Sequence, residues 1–223
     1  MRREIDALLG RNRDSAARFI IADMNGEQGV VKAEDIDAKI SIAARHEAGH
    51  AVVAATLGLR LRAEGIMVDA NAEGLACYCK QPDGSDSSRE VIILTTFAGC
   101  YAENYFRESE GYRARDYATI IGSGDWFEAR EIESAFSDEY RAGRIVAVVQ
   151  EILERRSMQL VAENWPAIDA LAKVLIANEW QALKPLKSGG RWSKAAMAKY
   201  VTGAELVQIL TRCGIEAVCV TEC

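Results

Sequence analysis

His46-Glu47-Ala48-Gly49-His50 holds both histidines of the 223-residue chain. Residues four apart on an α-helix lie one turn apart on the same face, so the two imidazoles are able to bind one metal ion. Glu47 starts close enough to act as a base toward a water on that ion. The spacing therefore predicts a metal site on a helix. The alternative is a pair of ordinary surface histidines beside a chance glutamate.

Apolar residues surround this pattern at helical spacing. They predict a helix from about residue 37 to 57, with Gly58 as its stop signal. The pattern then lies in the middle of a helix, which is the context that a metal site of this kind requires. The residues that carry the periodicity are Ile40, Ala43, Ala44, Ala48, Ala51, Val52 and Ala55.

The remainder of the chain predicts a mainly α fold, with a helical domain at 37–212 and one small antiparallel β-hairpin or sheet. The hairpin strands are expected at 65–68 and 74–80, and Ser87 or Ser88 is expected to cap the helix that follows. Three further helices are expected at 89–107, 125–140 and 144–163. A fourth is expected from about Pro166 to 178. The last is expected to begin at a capping box formed by Thr202 and Glu205 and to end at 212. Residues 1–36 are interpreted as an N-terminal appendage, 181–200 as a loop or insertion, and 213–223 as a C-terminal tail.

The bulk composition limits the classes of function. A net charge of −6 and a pI near 5.2 give no overall basic field, so we expect no nucleic-acid partner. The most apolar stretches, 42–61 and 91–106, contain charged residues, and no apolar segment follows the basic N-terminus. Neither a membrane span nor a signal peptide is therefore expected, and the predicted location is cytoplasmic.

The six cysteines are expected to be free thiols, since no export signal is recognised and no Cys-x-x-Cys pair occurs. Cys213, Cys219 and Cys223 leave an alternative open, as a second metal site or an oxidative crosslink. Their spacings match no standard zinc pattern. The metal chemistry is therefore expected at 46–50.

Two histidines leave a catalytic zinc site one protein ligand short. The metzincin extension would need a glycine at Val53 and a histidine at Thr56, so that family is excluded. The third ligand must be a carboxylate or a thiolate further along the chain. Asp125 is favoured because it follows a glycine-bearing turn and precedes a predicted helix, although an N-cap role would explain it equally simply. The competing carboxylates are Asp116, Glu128 and Glu131.

Five collinear segments resemble the FtsH-type zinc peptidase domain over roughly residues 38–212. The pattern at 46–51 is similar to its opening helix, 65–78 to its hairpin, and 171–206 to its closing helices. Phe97 through Glu103 is similar to its A-G-R-x-A-E-E helix, and Asp125 through Ile132 to its D-[IL]-x-x-A-T-x-[IL] segment. Two positions depart from the family: Cys100 stands where it has arginine, and Asn104 where it has a second glutamate. No Walker-type motif occurs, so we expect a peptidase domain without a motor.

The resemblance implies a zinc endopeptidase in which Asp125 is the third ligand beside His46 and His50. Zinc held there would lower the pKa of a bound water to roughly 7 and polarise the scissile carbonyl. Glu47 is the expected general base. Glu103 is interpreted either as a partner for a histidine N–H or as an ordinary salt-bridged or solvated glutamate.

The expected substrate is an unfolded or flexible polypeptide. The strand Gly74-Leu75-Ala76-Cys77-Tyr78 is able to pair with an extended peptide, but it reads equally well as an ordinary hairpin strand. A homo-oligomer or a separate unfoldase partner is possible for such a domain. Two alternatives from other classes are a non-proteolytic zinc-binding regulatory module that keeps the same fold, and a purely structural helical adaptor.

Overall fold

The computed structural model describes residues 18–22, 28–32, 35–79, 85–115, 124–125, 128–129, 132, 146–184 and 193–221. Their fold is mainly helical with a small antiparallel sheet, as predicted. The elements in chain order are β1 (Arg18–Ala22), β2 (Gln28–Lys32), α1 (Ile36–Thr56), β3 (Leu61–Asp69), β4 (Gly74–Tyr78), α2 (Asp86–Glu110), α3 (Val146–Glu163), α4 (Trp165–Ala177), β5 (Gln181–Ala182), β6 (Met197–Val201), α5 (Gly203–Arg212) and β7 (Cys219–Val220). None of the described helices has the length and apolar character needed to cross a membrane.

Helix α1 is the buried centre of the fold. Its N-cap is Asp35, whose carboxylate accepts a hydrogen bond from the Ala38 N–H at 2.8 Å. The helix ends at Thr56, and Gly58 follows in the left-handed conformation, which a glycine adopts without strain. Most of the residues between are buried, and half of the buried ones are alanine or glycine, so neighbouring elements approach α1 closely on several sides.

Helices α1 and α2 pack against each other through a glycine. A Cβ atom at Gly49 would lie 2.7 Å from both the Ala98 carbonyl oxygen and the Ala102 Cβ, so a side chain there would push the helices apart. Helix α2 begins after Ser85, whose hydroxyl accepts from the Ser88 N–H. The predicted cap at Ser87 or Ser88 was therefore wrong by two or three residues, because several serines in a row offer the same signal.

The main sheet has the order β4-β3-β6-β5, with antiparallel pairing throughout, and β7 pairs parallel with β3. The prediction of 181–200 as a loop or insertion is corrected, since β5 and β6 lie largely inside it. Its proline and paired glycines suggested a loop, whereas pairing with β3 determines strand structure at 197–201. Outside this sheet, β1 and β2 form an antiparallel hairpin within the predicted appendage, and β7 lies within the predicted tail.

The expectation of free thiols is corrected at one position. Cys79 is disulfide-bonded. Cys77, Cys100, Cys213 and Cys219 are free. The expectation rested on spacing along the chain and on redox compartment, whereas pairing depends on distance in the fold.

A buried arginine joins three helices beside the centre of α1. Arg45 Nη2 donates to Asp169 Oδ1 on α4 at 2.8 Å, and Nη1 donates to the Ser41 carbonyl oxygen at 3.0 Å. The guanidinium lies over the Phe106 ring of α2, 3.7 Å from its centroid. Asp169 also pairs with Lys173, which is 68 % exposed. Removing Asp169 would leave a buried cation without its carboxylate, which is costly.

Asp169→Asn is expected to lower the free energy of unfolding at pH 7 by about 1–3 kcal/mol. Burial raises the pKa of Asp169, but hydrogen bonds with Lys173 and Arg45 outweigh burial and lower it. A carboxyl with a lowered folded-state pKa contributes stability above its unfolded pKa, about 3.9, and loses it as the pH falls through the folded pKa. Urea unfolding at pH 7 and pH 3 should show the difference from wild type shrinking in acid.

Lys173→Gln is the control, because it removes the exposed partner of the same carboxylate. It should change stability by less than about 0.5 kcal/mol. A loss of stability as large as that of Asp169→Asn would show that the stabilisation comes from the Lys173–Asp169 pair at the surface instead of from the Arg45–Asp169 pair.

Candidate metal centre

The donor atoms of His46, His50 and Asp125 converge. One ligand atom from each lies within 4.8 Å of the others. Asp125 Oδ2 is 2.9 Å from His46 Nε2, and Asp125 Oδ1 is 3.6 Å from His50 Nε2. Within the described part of the chain, this is the one group of three such donors close enough to share an ion. Imidazole nitrogen and carboxylate oxygen are common donors to divalent transition metals, so the group fits a metal ion.

Each imidazole is held through its other nitrogen. His50 Nδ1 donates to the Thr95 carbonyl oxygen on α2 at 2.8 Å, and His46 Nδ1 lies 3.3 Å from Glu103 Oε2, also on α2. Metal-binding histidines usually have such a partner, because it fixes the tautomer and the ring orientation. Helix α2 therefore leaves both Nε2 atoms of α1 directed toward Asp125.

Gly99 on α2 keeps open the space in front of the two rings. A Cβ atom at this position would lie 2.7 Å from His46 Nε2 and would collide with His50 Nε2. The sequence patterns assigned Gly99 no role of its own. Glycine inside a helix is destabilising by about 1 kcal/mol relative to alanine. A glycine within a predicted helix therefore suggests a packing or functional role, and this was the sequence signal that could have pointed to Gly99.

Asp125 contacts both imidazoles, as the third ligand was expected to do. Gly124 and Asp125 both have helical backbone. The buried Cys100 thiol lies 3.6 Å from Asp125 Oδ2 and is oriented to donate to it. Among the competing carboxylates, Glu128 is not part of the donor group. Asp116 and Glu131 lie outside the described residues.

Electrostatics link the three candidate ligands. Burial alone lowers the pKa of the His46 imidazole, but hydrogen bonds with Asp125 and Glu103 outweigh burial and raise that pKa well above 6.5. Burial alone raises the pKa of Asp125, but the charges of His50 and His46 and the hydrogen bonds with them lower it far below its usual range. Asp125 is therefore a carboxylate at neutral pH, the form that binds a cation.

Glu103 is a buried anion behind His46, with 2 % of its surface exposed. Its Oε1 accepts from Arg107 Nε at 2.7 Å and from Arg115 Nε at 2.8 Å. Burial alone raises its pKa, but the hydrogen bond with His46 and the three nearby cationic groups lower it. Both interpretations of Glu103 hold in part, since it is a partner of a histidine and also salt-bridged. The two arginines were not recognised from the sequence.

Glu47 lies beside the start of β4. A Cβ atom at Gly74 would collide with the Glu47 carboxylate, so the strand approaches this side chain more closely than any other residue type would allow. Both residues line a cavity of about 370 Å³ that also reaches His46. The far end of β4 is Tyr78, whose ring centroid is 6.4 Å from that of His50. The strand 74–78 thus runs along the metal-binding turn of α1.

We expect the protein to bind one divalent ion per chain. His46→Ala, His50→Ala and Asp125→Ala should each abolish or greatly weaken binding, because the two remaining protein donors are too few for a stable site. Calorimetric titration with Zn²⁺ and with Co²⁺ measures this. Asp125→Asn should retain part of the affinity, since its amide oxygen is an uncharged donor.

Glu179→Ala is the control for the ligand variants, because it removes an exposed carboxylate that does not take part in the donor group. Asp169 is unsuitable as a control position, since its partner Arg45 directly precedes His46 in the chain. Stoichiometric tight binding by the His46→Ala/His50→Ala double variant would refute the site.

Gly99→Ala should lower metal affinity by about 10- to 100-fold, the range seen when the surroundings of metal ligands are disturbed. The added methyl group would occupy the space in front of both Nε2 atoms. Gly124→Ala is a matched control, because its Cβ would meet no atom of the described residues within 4 Å. Circular dichroism should confirm that both variants fold. Unchanged affinity in folded Gly99→Ala would show that the open space is not needed.

Comparison with known proteins supplies no identity for the chain. No protein-family model matches it, and no curated protein is detectably similar to it in sequence. The chemistry that the site can perform depends on its own geometry. That geometry consists of two oriented imidazoles, a carboxylate between them, and a second carboxylate facing a cavity.

Proposed function

We propose that the protein is a zinc-dependent endopeptidase that acts on unfolded or flexible polypeptides. The observation that carries the proposal is the combination of a convergent His46–His50–Asp125 donor group with Glu47, which shares a cavity with His46. A structural metal site needs no such carboxylate on an accessible side. A hydrolytic site does, because a water molecule must lose a proton as it attacks.

Zinc is the proposed ion because two imidazoles and one carboxylate are a common donor set for catalytic zinc, with a further coordination position left for water or substrate. When bound, the ion supplies Lewis acidity toward a carbonyl and makes a neighbouring water more acidic. The residues of the chain that would hold it are His46 through Nε2, His50 through Nε2 and Asp125 through its carboxylate.

Glu47 is the proposed base and proton carrier. It is largely buried, packs against Gly74 and faces the cavity, so a substrate bound there would meet its carboxylate directly. Its oxygens would accept the proton of the attacking water and donate it to the leaving amine. His46 and His50 are already held by Glu103 and Thr95 and would need no rearrangement during the reaction.

The strand Gly74-Leu75-Ala76-Cys77-Tyr78 is the proposed substrate-binding edge. In the described part of the chain β4 pairs with β3 on one side, and it is the terminal strand of the sheet order. An extended peptide could add to its other side through backbone hydrogen bonds, which bind many sequences without regard to side chains. Because β4 passes from Glu47 to His50, a peptide added there would run across the metal centre.

The resemblance to the FtsH-type peptidase domain supports the same proposal. Asp125 lies where that family places its third ligand, and the similar helix at 97–103 contributes Gly99 and Glu103 to the surroundings of the histidines. A peptidase domain that works without its own motor is expected to need substrates that are already unfolded. A separate unfoldase or a homo-oligomeric ring would relax this requirement.

Glu47→Gln should bind zinc normally and lose about 10²–10⁴-fold in peptide hydrolysis, because the amide cannot accept the proton. Cleavage of denatured casein, with and without a chelator, measures the activity, and calorimetry measures the zinc. The matched control is Glu179→Gln, an exposed glutamate that is not part of the donor group, which should cleave as wild type does. A tagged stable domain should resist cleavage that its denatured form undergoes.

Two outcomes would contradict the proposal. Full turnover by Glu47→Gln would remove the residue from its role. Tight zinc binding without any hydrolysis by the wild type would favour the alternative, a non-proteolytic zinc-binding module.

A further inference from the structure

The cavity beside Glu47 extends well beyond the reacting groups. Its far wall is built from separate parts of the fold: Lys39 near the start of α1, the turn residues Asn71 and Ala72 between β3 and β4, Arg107 in the last turn of α2, and Arg115 in the segment after that helix. The volume of about 370 Å³ is sufficient for one or two side chains of a bound peptide. Lys39, Asn71 and Ala72 have no part in the metal chemistry proposed above, and the two arginines affect it only indirectly, through Glu103.

Positive charge predominates in the lining. The described lining residues include three cations, Lys39, Arg107 and Arg115, against two carboxylates, Glu47 and Glu103. Glu103 is buried and accepts from the Nε atoms of both arginines through one oxygen. Arg107 Nη1 donates further, to the Arg113 carbonyl oxygen. Arg115 is 34 % exposed and Lys39 is exposed, so these two are the cations best placed to meet a ligand.

The wall is fixed in place before any ligand binds. The backbone N–H of Arg115 donates to Asn104 Oδ1, and its carbonyl oxygen accepts from Asn104 Nδ2, at 2.8 and 3.2 Å. Across the cavity, Asp69 Oδ1 accepts from the N–H groups of Asn71 and Glu73, both at 2.8 Å. This turn holds Ala72 in the left-handed conformation, with φ of 61°. Cations on such a fixed frame lose little conformational freedom when an anion binds.

The position of the cavity along β4 indicates which part of a peptide would enter it. The cavity adjoins Gly74, at the start of the strand, whereas the strand's other end lies near His50. A peptide pairing antiparallel with β4 runs from Tyr78 toward Gly74. The residues C-terminal to the cleaved bond would then reach Lys39 and Arg115.

We propose that this cavity is a subsite for a substrate carboxylate on the C-terminal side of the cleaved bond, with Arg115 and Lys39 as its cationic partners. The proposal rests on the peptidase function proposed above. A carboxylate in this place could be an Asp or Glu side chain or the C-terminus of the peptide. Arginine binds either through paired N–H groups, and lysine adds a point charge.

Binding can be tested without cleavage, using zinc-loaded Glu47→Gln protein. The probes are fluorescein-labelled octapeptides that differ only in Glu against Gln at one position, and a second pair that differs only in a free against an amidated C-terminus. A carboxylate should improve affinity by about tenfold in at least one pair, the size of one charge-assisted hydrogen bond. Fluorescence anisotropy measures the affinities, and scanning the Glu along the peptide locates the subsite.

The wall variants are made in the same Glu47→Gln background. Lys39→Gln should reduce the preference for the carboxylate to about threefold or less, without changing the affinity of the neutral peptide. Arg115→Gln should reduce the preference to the same extent, and its zinc content is measured alongside because Arg115 also holds Glu103 beside His46. Arg115→Lys should keep part of the preference. Lys194→Gln is the matched control, since Lys194 is exposed and does not line the cavity. Thermal melts identify a variant that fails to fold. In that case the variant of the other cationic wall residue tests the subsite.

Cleavage of a protein substrate is the second test of the subsite. Mapping the products of denatured casein by mass spectrometry should show Asp and Glu enriched within two positions C-terminal to the cleaved bonds, and Lys39→Gln should remove the enrichment. If wild type cleaves nothing, the peptidase proposal fails. The anisotropy measurements still test whether the cavity binds a carboxylate. Equal affinity for every charged and neutral pair, or a preference that survives both wall variants, would overturn the subsite. Enrichment only N-terminal to the bonds would overturn its assigned side.

Discussion

The close approach of α1 and α2 is the constraint on which the candidate site depends. Gly49 lets the two backbones approach, and Gly99, on the opposite helix, leaves room for both Nε2 atoms. At this separation the Thr95 carbonyl oxygen and the Glu103 carboxylate come within hydrogen-bond reach of the imidazoles. A larger side chain at either glycine would disturb the packing and the ligand orientation together.

The charges at and behind the site form a connected series of ion pairs. Asp125 faces the imidazoles, His46 contacts Glu103, and Glu103 is compensated by Arg107 and Arg115, the latter one third exposed. Each buried charge therefore has an opposite partner, which offsets most of the cost of removing it from water. The series also connects the candidate metal ligands with the wall of the cavity. A molecule that binds Arg115 would therefore act on Glu103, the carboxylate that orients His46.

Local sequence signals predicted the elements that contain strong, short-range patterns. The helix around His46 and His50, the capping box at Thr202 and Glu205, and the proline start of α4 all have signals within a few residues. Asp125 was favoured from its glycine-flanked position, with the family resemblance deciding between it and its competitors. The strand at 197–201, the bond at Cys79 and the roles of Gly99 and Arg115 were not predicted, because each depends on a neighbour that is distant along the chain.

The pairing of β3 has a consequence for the order of assembly during synthesis. This strand follows α1 directly and is flanked by β4 and by β6, with β7 alongside its first residues. Two of its three neighbours are thus synthesised long after the metal-binding helix. A nascent chain would emerge from the ribosome with both histidines in place but with the supporting sheet incomplete, and long-range pairing of this kind is slow to form. The sheet that packs against α1 would therefore be complete only after translation has passed β7, so the helix that carries both histidines acquires its last supporting strand after every other described element has been made.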